Sequence, residues 1–287
     1  MTRFAGSFMP WRAIHVSHPI YTDRAAPVHK EHRMIRSKVC TLDGDDIYIR
    51  GHDLLDLTEE RDYVDVFCLQ AFGEFPSPPM KRMVNALLVS VADHGLTPSV
   101  MAARFTLYGS PEAMQGAVAA GLLGGGDRLL GTISTAAEML QAAARGLEEW
   151  TDDDIAHAAA KLVTQYRESK KRIPGIGHMI HVNGDPRSTR MFNIAKSCGY
   201  YGNYCKLAIA VAEEASRQTG RFMPLNAPGA KAGIILDMGL PPSAGRAFNL
   251  LGRTGGLLAH VLEEQQEPIA ADAWKMLRDA AAQADGA

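Results

Sequence analysis

The sequence lacks an excess of charge, long apolar runs and paired cysteines, and each absence removes a class of function. Thirty Lys and Arg stand against 32 Asp and Glu, for a formal net charge of −2. That leaves no electrostatic footprint for nucleic acid or an anionic membrane. No apolar run reaches the roughly 18 residues needed to span a bilayer. The opening Met1-Thr2-Arg3-Phe4, followed by Pro10, His15 and His18, has no continuous apolar stretch of the secretion-signal kind. Cys40, Cys68, Cys198 and Cys205 show no CxxC spacing. Free thiols in a reducing cytoplasm are therefore expected, with no disulfide framework. The ten histidines include no HxxxH or HExxH pair, and His178 and His181 lie three apart without a nearby carboxylate. No metal site is expected.

What is present reads as a large soluble helical protein. Hydrophobic residues make up 46% of the 287 and charged residues 22%, an ordinary globular balance with enough apolar material for a sizeable core. Residues 1–34 show little periodicity and several prolines and read as an extended arm. Residues 38–50 read as a β-hairpin, two β-branched or apolar arms joined through Asp43-Gly44. From there the pattern is helical. Thr58-Glu59-Glu60-Arg61 reads as a helix start. Val84, Leu87, Leu88 and Val91 form a core-facing stripe, and Ser110-Pro111-Glu112 opens another helix. Thr151-Asp152-Asp153-Asp154 is an acidic capping box. Further helices are expected near 187–197, 204–218, 230–238, 243–264 and 271–284. About ten helices and one short N-terminal hairpin make the fold class all-α.

The chemistry concentrates in a few places. Lys171-Arg172-Ile173-Pro174-Gly175-Ile176-Gly177-His178 combines two glycines with a histidine that can exchange a proton near neutral pH. Arg187 follows in Asp185-Pro186-Arg187 and suits a carboxylate clamp. Asp93-His94-Gly95 places a second histidine at a helix end, where a capping role is the plainer reading. Gly124-Gly125-Gly126 opens a stretch too glycine-rich for a simple connector, yet it lacks the Lys-Ser/Thr of a P-loop. Asn226-Ala227-Pro228-Gly229 leads into a helix and can point backbone amides at a ligand. Gly252-Arg253-Thr254-Gly255-Gly256 sits inside a long helical pattern, which is costly unless something packs close.

In this order these places resemble the citrate synthase superfamily. Pro174 to His178 with Asp185-Pro186-Arg187, and Gly252-Arg253-Thr254-Gly255-Gly256 with Ala259-His260, match its motifs with their spacing; Thr41-Leu42-Asp43-Gly44 with Ile47 to Asp53 resembles its entry segment. The short passage from Phe75-Pro76 to His94, and the Gly121–Arg128 stretch, resemble citryl-CoA lyase and the lyase module of ATP-citrate lyase. The resemblance implies a citrate synthase-like multi-helical fold with a large helical domain (35–174 and 251–287) and a smaller one (175–250). It also implies a homodimer or higher homo-oligomer. The substrate it implies is a coenzyme A thioester, with no permanently bound cofactor. His178 would move the proton of the hydroxyl or keto oxygen, and His94 would hydrogen-bond the keto-acid part. Arg187 and Arg253 would hold its carboxylates. Lys171, Arg172, Ile173, Pro174, Gly175, Ile176, Gly177 and Asn226 would contact coenzyme A, with oxaloacetate or another keto acid alongside.

Three positions depart from the pattern. The histidine that polarises the thioester carbonyl in synthases falls at Leu129. The aspartate of Asn-Val-Asp, which moves the acyl α-proton, falls at Pro228, which has no titratable group. The arginine of a C-terminal Arg-Pro falls near Ala271. Losing that arginine predicts a substrate with fewer buried carboxylates than citrate. Losing the aspartate disfavours net synthesis, because making an acetyl-CoA enolate needs a base. Lys231, three residues past Pro228, is a candidate to replace that aspartate, though a solvated helix lysine is the plainer reading. The expected function is cleavage of a 3-hydroxyacyl-CoA of the citryl-CoA type to an acyl-CoA and an α-keto acid. The alternatives are a catalytically divergent CoA-binding protein of the same fold, or a citrate synthase-type acyltransferase.

Overall fold

Short polar side chains at helix starts set the rhythm of the chain. The computed structural model describes residues 37–177 and 184–285, the side chains of Arg128 and Asp285 apart. The arm read over 1–34 lies outside the described residues. Strands β1 (Cys40–Asp43) and β2 (Asp46–Ile49) form the expected hairpin in antiparallel register, with Gly44 at φ 61° in the turn. A two-residue third strand, β3 (His52–Asp53), pairs with β2 and extends it to a small sheet.

Among the described residues twelve α-helices follow. The first break differs from the sequence reading. Asp53 caps α1 (Leu54–Glu60) and Asp62 caps α2 (Tyr63–Phe72), so Thr58 closes one helix where it was expected to open the next. Each aspartate accepts from the second and third amides of its helix, which satisfies donors the helix itself cannot. Then come α3 (Pro78–Val89), α4 (Pro98–Gly109) and α5 (Met114–Leu123). Ser110-Pro111 forms the turn before α5 and is not its first residue pair. A wide π-helical turn, Gly126–Gly131, runs directly into α6 (Thr132–Ala143). The Thr151 capping box closes in both directions at the start of α7 (Asp152–Glu168). Helices α8 (Pro186–Cys198), α9 (Asn203–Thr219), α10 (Ala227–Asp237), α11 (Ala244–Gln266) and α12 (Ala270–Asp285) complete the chain.

The core is built around α10, which packs on α6, α8 and α9. Its sequence is almost entirely small or aliphatic, and Ala227 and Gly229 through Leu236 are all buried. A helix apolar on every side must be enclosed on every side. Small residues let its neighbours come close: a Cβ on Gly233 would sit 3.0 Å from the Tyr204 carbonyl oxygen. At its far end Asp237 accepts from the amides of Gly202, Tyr204 and Cys205, serving the exposed donors that begin α9. The glycines inside α11 answer to the same logic. A Cβ on Gly256 would fall 1.9 Å from the Ala92 carbonyl oxygen, and one on Gly252 2.7 Å from that of Leu88. The end of α3 therefore lies against the α11 backbone, which accounts for glycines flanking Arg253.

Among the described residues no helix is long and apolar enough to cross a membrane. The four cysteines are free, with Cys68, Cys198 and Cys205 buried.

Candidate active site

A cavity of about 770 Å³ opens where the starts of α8 and α10, the middle of α11, the end of α3 and the 171–177 loop converge. This lies within the range typical of small-molecule sites. Its described lining carries seven cationic side chains, Arg167, Lys171, Arg172, Arg187, Arg221, Lys231 and Arg253, and no carboxylate. The whole chain carries nearly equal numbers of acids and bases, so the segregation is local and strong.

The cations fall into two sets. Arg167, Lys171, Arg172 and Arg221 are exposed and surround apolar wall from Val163, Ile173 and Met223. Arg187 is half-buried, whereas Lys231 and Arg253 are 4% and 8% exposed. Arg187 is fixed by its own helix start. Asp185 caps α8, takes two parallel bonds from the guanidinium at 2.9 Å each, and accepts the Ala227 amide that begins α10 at 2.9 Å. Burial pushes the Asp185 carboxyl up, but the bonds from Arg187 and Ala227 outweigh it and hold it at about 2. One aspartate thus aligns two helix N-termini and one clamp. Among the described residues Arg253 has no such bonded carboxylate: its Nε is buried without a hydrogen bond, and burial lowers its pKa against the opposing pull of Asp93.

The 171–177 loop is strapped to the segment before α10. Ile176 bridges Leu225 in antiparallel fashion, Gly177 N–H donates to the Pro224 carbonyl at 2.7 Å, and Asn226 N–H donates to that of Gly175 at 3.0 Å. Asn226 caps α10 through Gly229 N–H and donates its amide to the Gly177 carbonyl at 2.8 Å. Gly175 adopts φ 83°, and a Cβ there would lie 2.6 Å from the Gly229 Cα. Its missing side chain makes room for α10 and not for a ligand, since Gly175 does not line the cavity. Pro174 faces a separate small void with Leu225 and Met139. Of the residues expected at coenzyme A, these two therefore stand off the lining of the cavity.

Nine other expected residues meet on the cavity: His94, Lys171, Arg172, Ile173, Ile176, Gly177, Arg187, Asn226 and Arg253. His178 lies outside the described residues. His94 sits past the end of α3, which stops at Val89, so it is not the helix cap. Its turn is held by Asp93, which accepts from Gly95 N–H at 2.6 Å and from His260 Nε2 at 2.7 Å. His260 Nδ1 in turn accepts from Arg104, a fully buried guanidinium paired with Glu264 at 2.6 Å and with Glu263. Those contacts fix the imidazole as the Nε2–H tautomer and tie the His94 turn to α4 and α11.

Lys231 contradicts the sequence reading. It is buried in the wall of the cavity, one helical turn after Pro228, and donates to the Ser90 carbonyl at 3.4 Å. Desolvation, followed by repulsion from Arg187, lowers its pKa to about 8. The signal was there: between Asn226 and Asp237 Lys231 is the one charged residue, so the segment offers no polar face to carry it into water. Arg167 and Arg221 were also missed, because their spacing along the chain gives no hint that they meet. Leu129, where a synthase histidine would fall, lies on the cavity in the π turn. No three His, Cys, Asp or Glu side chains gather as a metal site among the described residues.

In this mainly helical protein, the described cavity lining is rich in cations and free of carboxylates, which suits anionic small molecules. The family model for the citrate synthase C-terminal domain matches residues 59–271. The chain belongs to the citrate synthase family. The structure of citryl-CoA lyase from Hydrogenobacter thermophilus is 37% identical, covers 81% of this chain and 87% of its own, and superposes with a TM-score of 0.73. ATP citrate lyase from Methanothrix soehngenii, in complex with citrate and coenzyme A, shares the fold at 21% identity and TM-score 0.69, over 83% of this chain and 40% of its own. Citrate synthase of Haloferax volcanii is 24% identical over 86% of this chain; the chain spans only 63% of that relative's length.

Proposed function

We propose that the protein is a CoA-dependent carbon–carbon lyase of the citryl-CoA lyase type. It cleaves a 3-hydroxyacyl-CoA, citryl-CoA or a smaller relative, to an acyl-CoA and an α-keto acid. The observation that carries this reading is the cavity itself: seven cations without a carboxylate, four of them exposed and three buried or half-buried. The exposed set suits the phosphates of coenzyme A, which stay partly hydrated. The guanidiniums of Arg187 and Arg253 suit carboxylates, because planar bidentate bonds gain most where water is excluded. The likeness to citryl-CoA lyase over most of both chains supports the same reading.

In this mechanism His94 hydrogen-bonds the keto-acid part, with its turn held by Asp93 and His260. His178 takes the proton of the substrate hydroxyl as a general base, the bond between the hydroxyl carbon and the acyl α-carbon breaks, and the electron pair passes to the thioester as an enolate. The described lining carries no carboxylate that could exchange the acyl α-proton. Exposed apolar side chains on α11 and α12, among them Leu258, Leu262, Trp274, Met276 and Leu277, support a homodimer. A large part (35–174 and 251–287) and a small part (175–250) belong to the same proposal, as does a cytoplasmic setting.

The test is direct. The purified protein is incubated with citryl-CoA and shorter 3-hydroxyacyl-CoA analogues, and acyl-CoA release is followed. Cleavage that falls by 100-fold or more in His178→Ala, about the size of a lost general base, is expected. Coenzyme A binding without turnover of any analogue would favour a non-catalytic relative of the fold.

A further inference from the structure

Cleavage leaves an enolate whose α-carbon must gain a proton before the acyl-CoA departs. Among the described lining residues, five guanidiniums hold their protons too tightly to give them up, and no carboxylate is present. The remaining groups that can carry the proton are His94, which hydrogen-bonds the keto-acid part in the reading above, Lys171, which is exposed, and Lys231, which is buried.

We infer that Lys231 is the general acid that protonates the acyl α-carbon, standing in the site that Pro228 leaves without a titratable group. The inference rests on the lyase reading. Lys231 follows Pro228 by three residues on α10, so the two share a face, and both line the cavity. A helical side chain leans towards the N-terminus, over the turn that precedes its own Cα. The Lys231 ammonium reaches the Ser90 carbonyl, on the same cavity that Pro228 lines. Among the described residues its one hydrogen bond is to the Ser90 carbonyl at 3.4 Å, so of the three donors of the ammonium two are left to offer.

The surroundings make it a willing donor. The charged groups facing it are Arg187 and Asp185 from the start of α8 and Arg253 from α11; His94 lines the same cavity from the turn after α3. Burial and the two guanidiniums outweigh the single aspartate, and the ammonium holds its proton less firmly than an ordinary lysine. A substrate carboxylate on Arg187 or Arg253 offsets that repulsion and keeps Lys231 protonated in the complex. The step balances. The C–C electron pair becomes the enolate, the Lys231 N–H proton moves to the α-carbon to form a C–H bond, and the neutral amine regains a proton from solvent.

The experiment uses the full chain with citryl-CoA, comparing wild type with Lys231→Met and Lys231→Ala. The expected result is a 10²–10⁴-fold fall in kcat in both variants, the usual range for a general acid, with KM changed far less. Small primary amines should restore turnover to Lys231→Ala, with a rate that depends on amine basicity. In wild type kcat/KM for cleavage should fall as pH rises through about 8, and Lys231→Met should lose that limb. A Lys231→Met protein with kcat within about threefold of wild type, or variants that no amine rescues, would overturn the role while leaving the lyase reading intact. A wild-type protein that cleaves none of the thioesters would overturn both.

Discussion

The two sets of cations around the cavity differ in exposure, and that difference separates binding from chemistry. Arg167, Lys171, Arg172 and Arg221 reach water. They attract an anionic ligand through a screened field and gain little from any one contact. Lys231 and Arg253 have lost their hydration, and neither has a hydrogen bond to a carboxylate among the described residues. Their unmet electrostatic need is larger, so an anion that reaches them is held harder and oriented more tightly. Arg187 stands between the two, half-buried and already aligned by Asp185.

The largest effect should come from the buried set. Arg253→Met should lower kcat/KM for citryl-CoA by at least about 30-fold, since loss of a desolvated charged contact costs on the order of 2–5 kcal/mol. The same change removes a buried guanidinium whose Nε lacks a hydrogen bond. It should therefore raise the urea midpoint while it abolishes activity, a trade that an exposed arginine would not show. A variant that loses both would mean that Arg253 holds the fold together.

The next effect belongs to Asp185, which joins the two regions. Its carboxyl is held near 2 against an ordinary 3.8. A folded-state value below the unfolded one stabilises the protein above about pH 4, and that contribution is lost as pH falls towards 2. The shift corresponds to about 2 kcal/mol at neutral pH. Asp185→Asn should lower stability by about that amount at pH 7, and the difference from wild type should shrink as the pH approaches 2. Chemical denaturation across pH 2–7 reads both.

The smallest effect is expected from the exposed set. Lys171→Ala or Arg172→Ala should raise KM by less than about fivefold, in line with 0.2–1 kcal/mol for an exposed charge pair. The difference should vanish at 0.5 M salt. A salt-insensitive loss of kcat would place those residues with the buried group and break the distinction.

The same division explains what the sequence discloses. Local signals were legible: the Thr151 capping box, the Asp43-Gly44 turn, and glycines in α11 that demanded a close neighbour. Motif spacing also brought His94, Arg187, Asn226 and Arg253 to one cavity. Other features depend on the fold. Helix α4 drew no expectation, although Thr97-Pro98 is a good start, and its buried Arg104 finds its partners Glu263 and Glu264 160 residues away in α11. Gly175 looked like a place for a ligand because its need is the same either way: a positive φ and no Cβ. Only the position of Gly229 shows which neighbour fills the space. Lys231 was misjudged as a single residue when the evidence lay in its surroundings, an apolar segment with no side to face water.

The measurement that bears most directly on the account is the fate of citryl-CoA. One incubation followed by both mass spectrometry and a free-thiol reagent distinguishes cleavage of the carbon–carbon bond from hydrolysis of the thioester. The account predicts acetyl-CoA and oxaloacetate with no free coenzyme A thiol. Citrate with stoichiometric release of the thiol would contradict it and mark the cavity as that of a synthase.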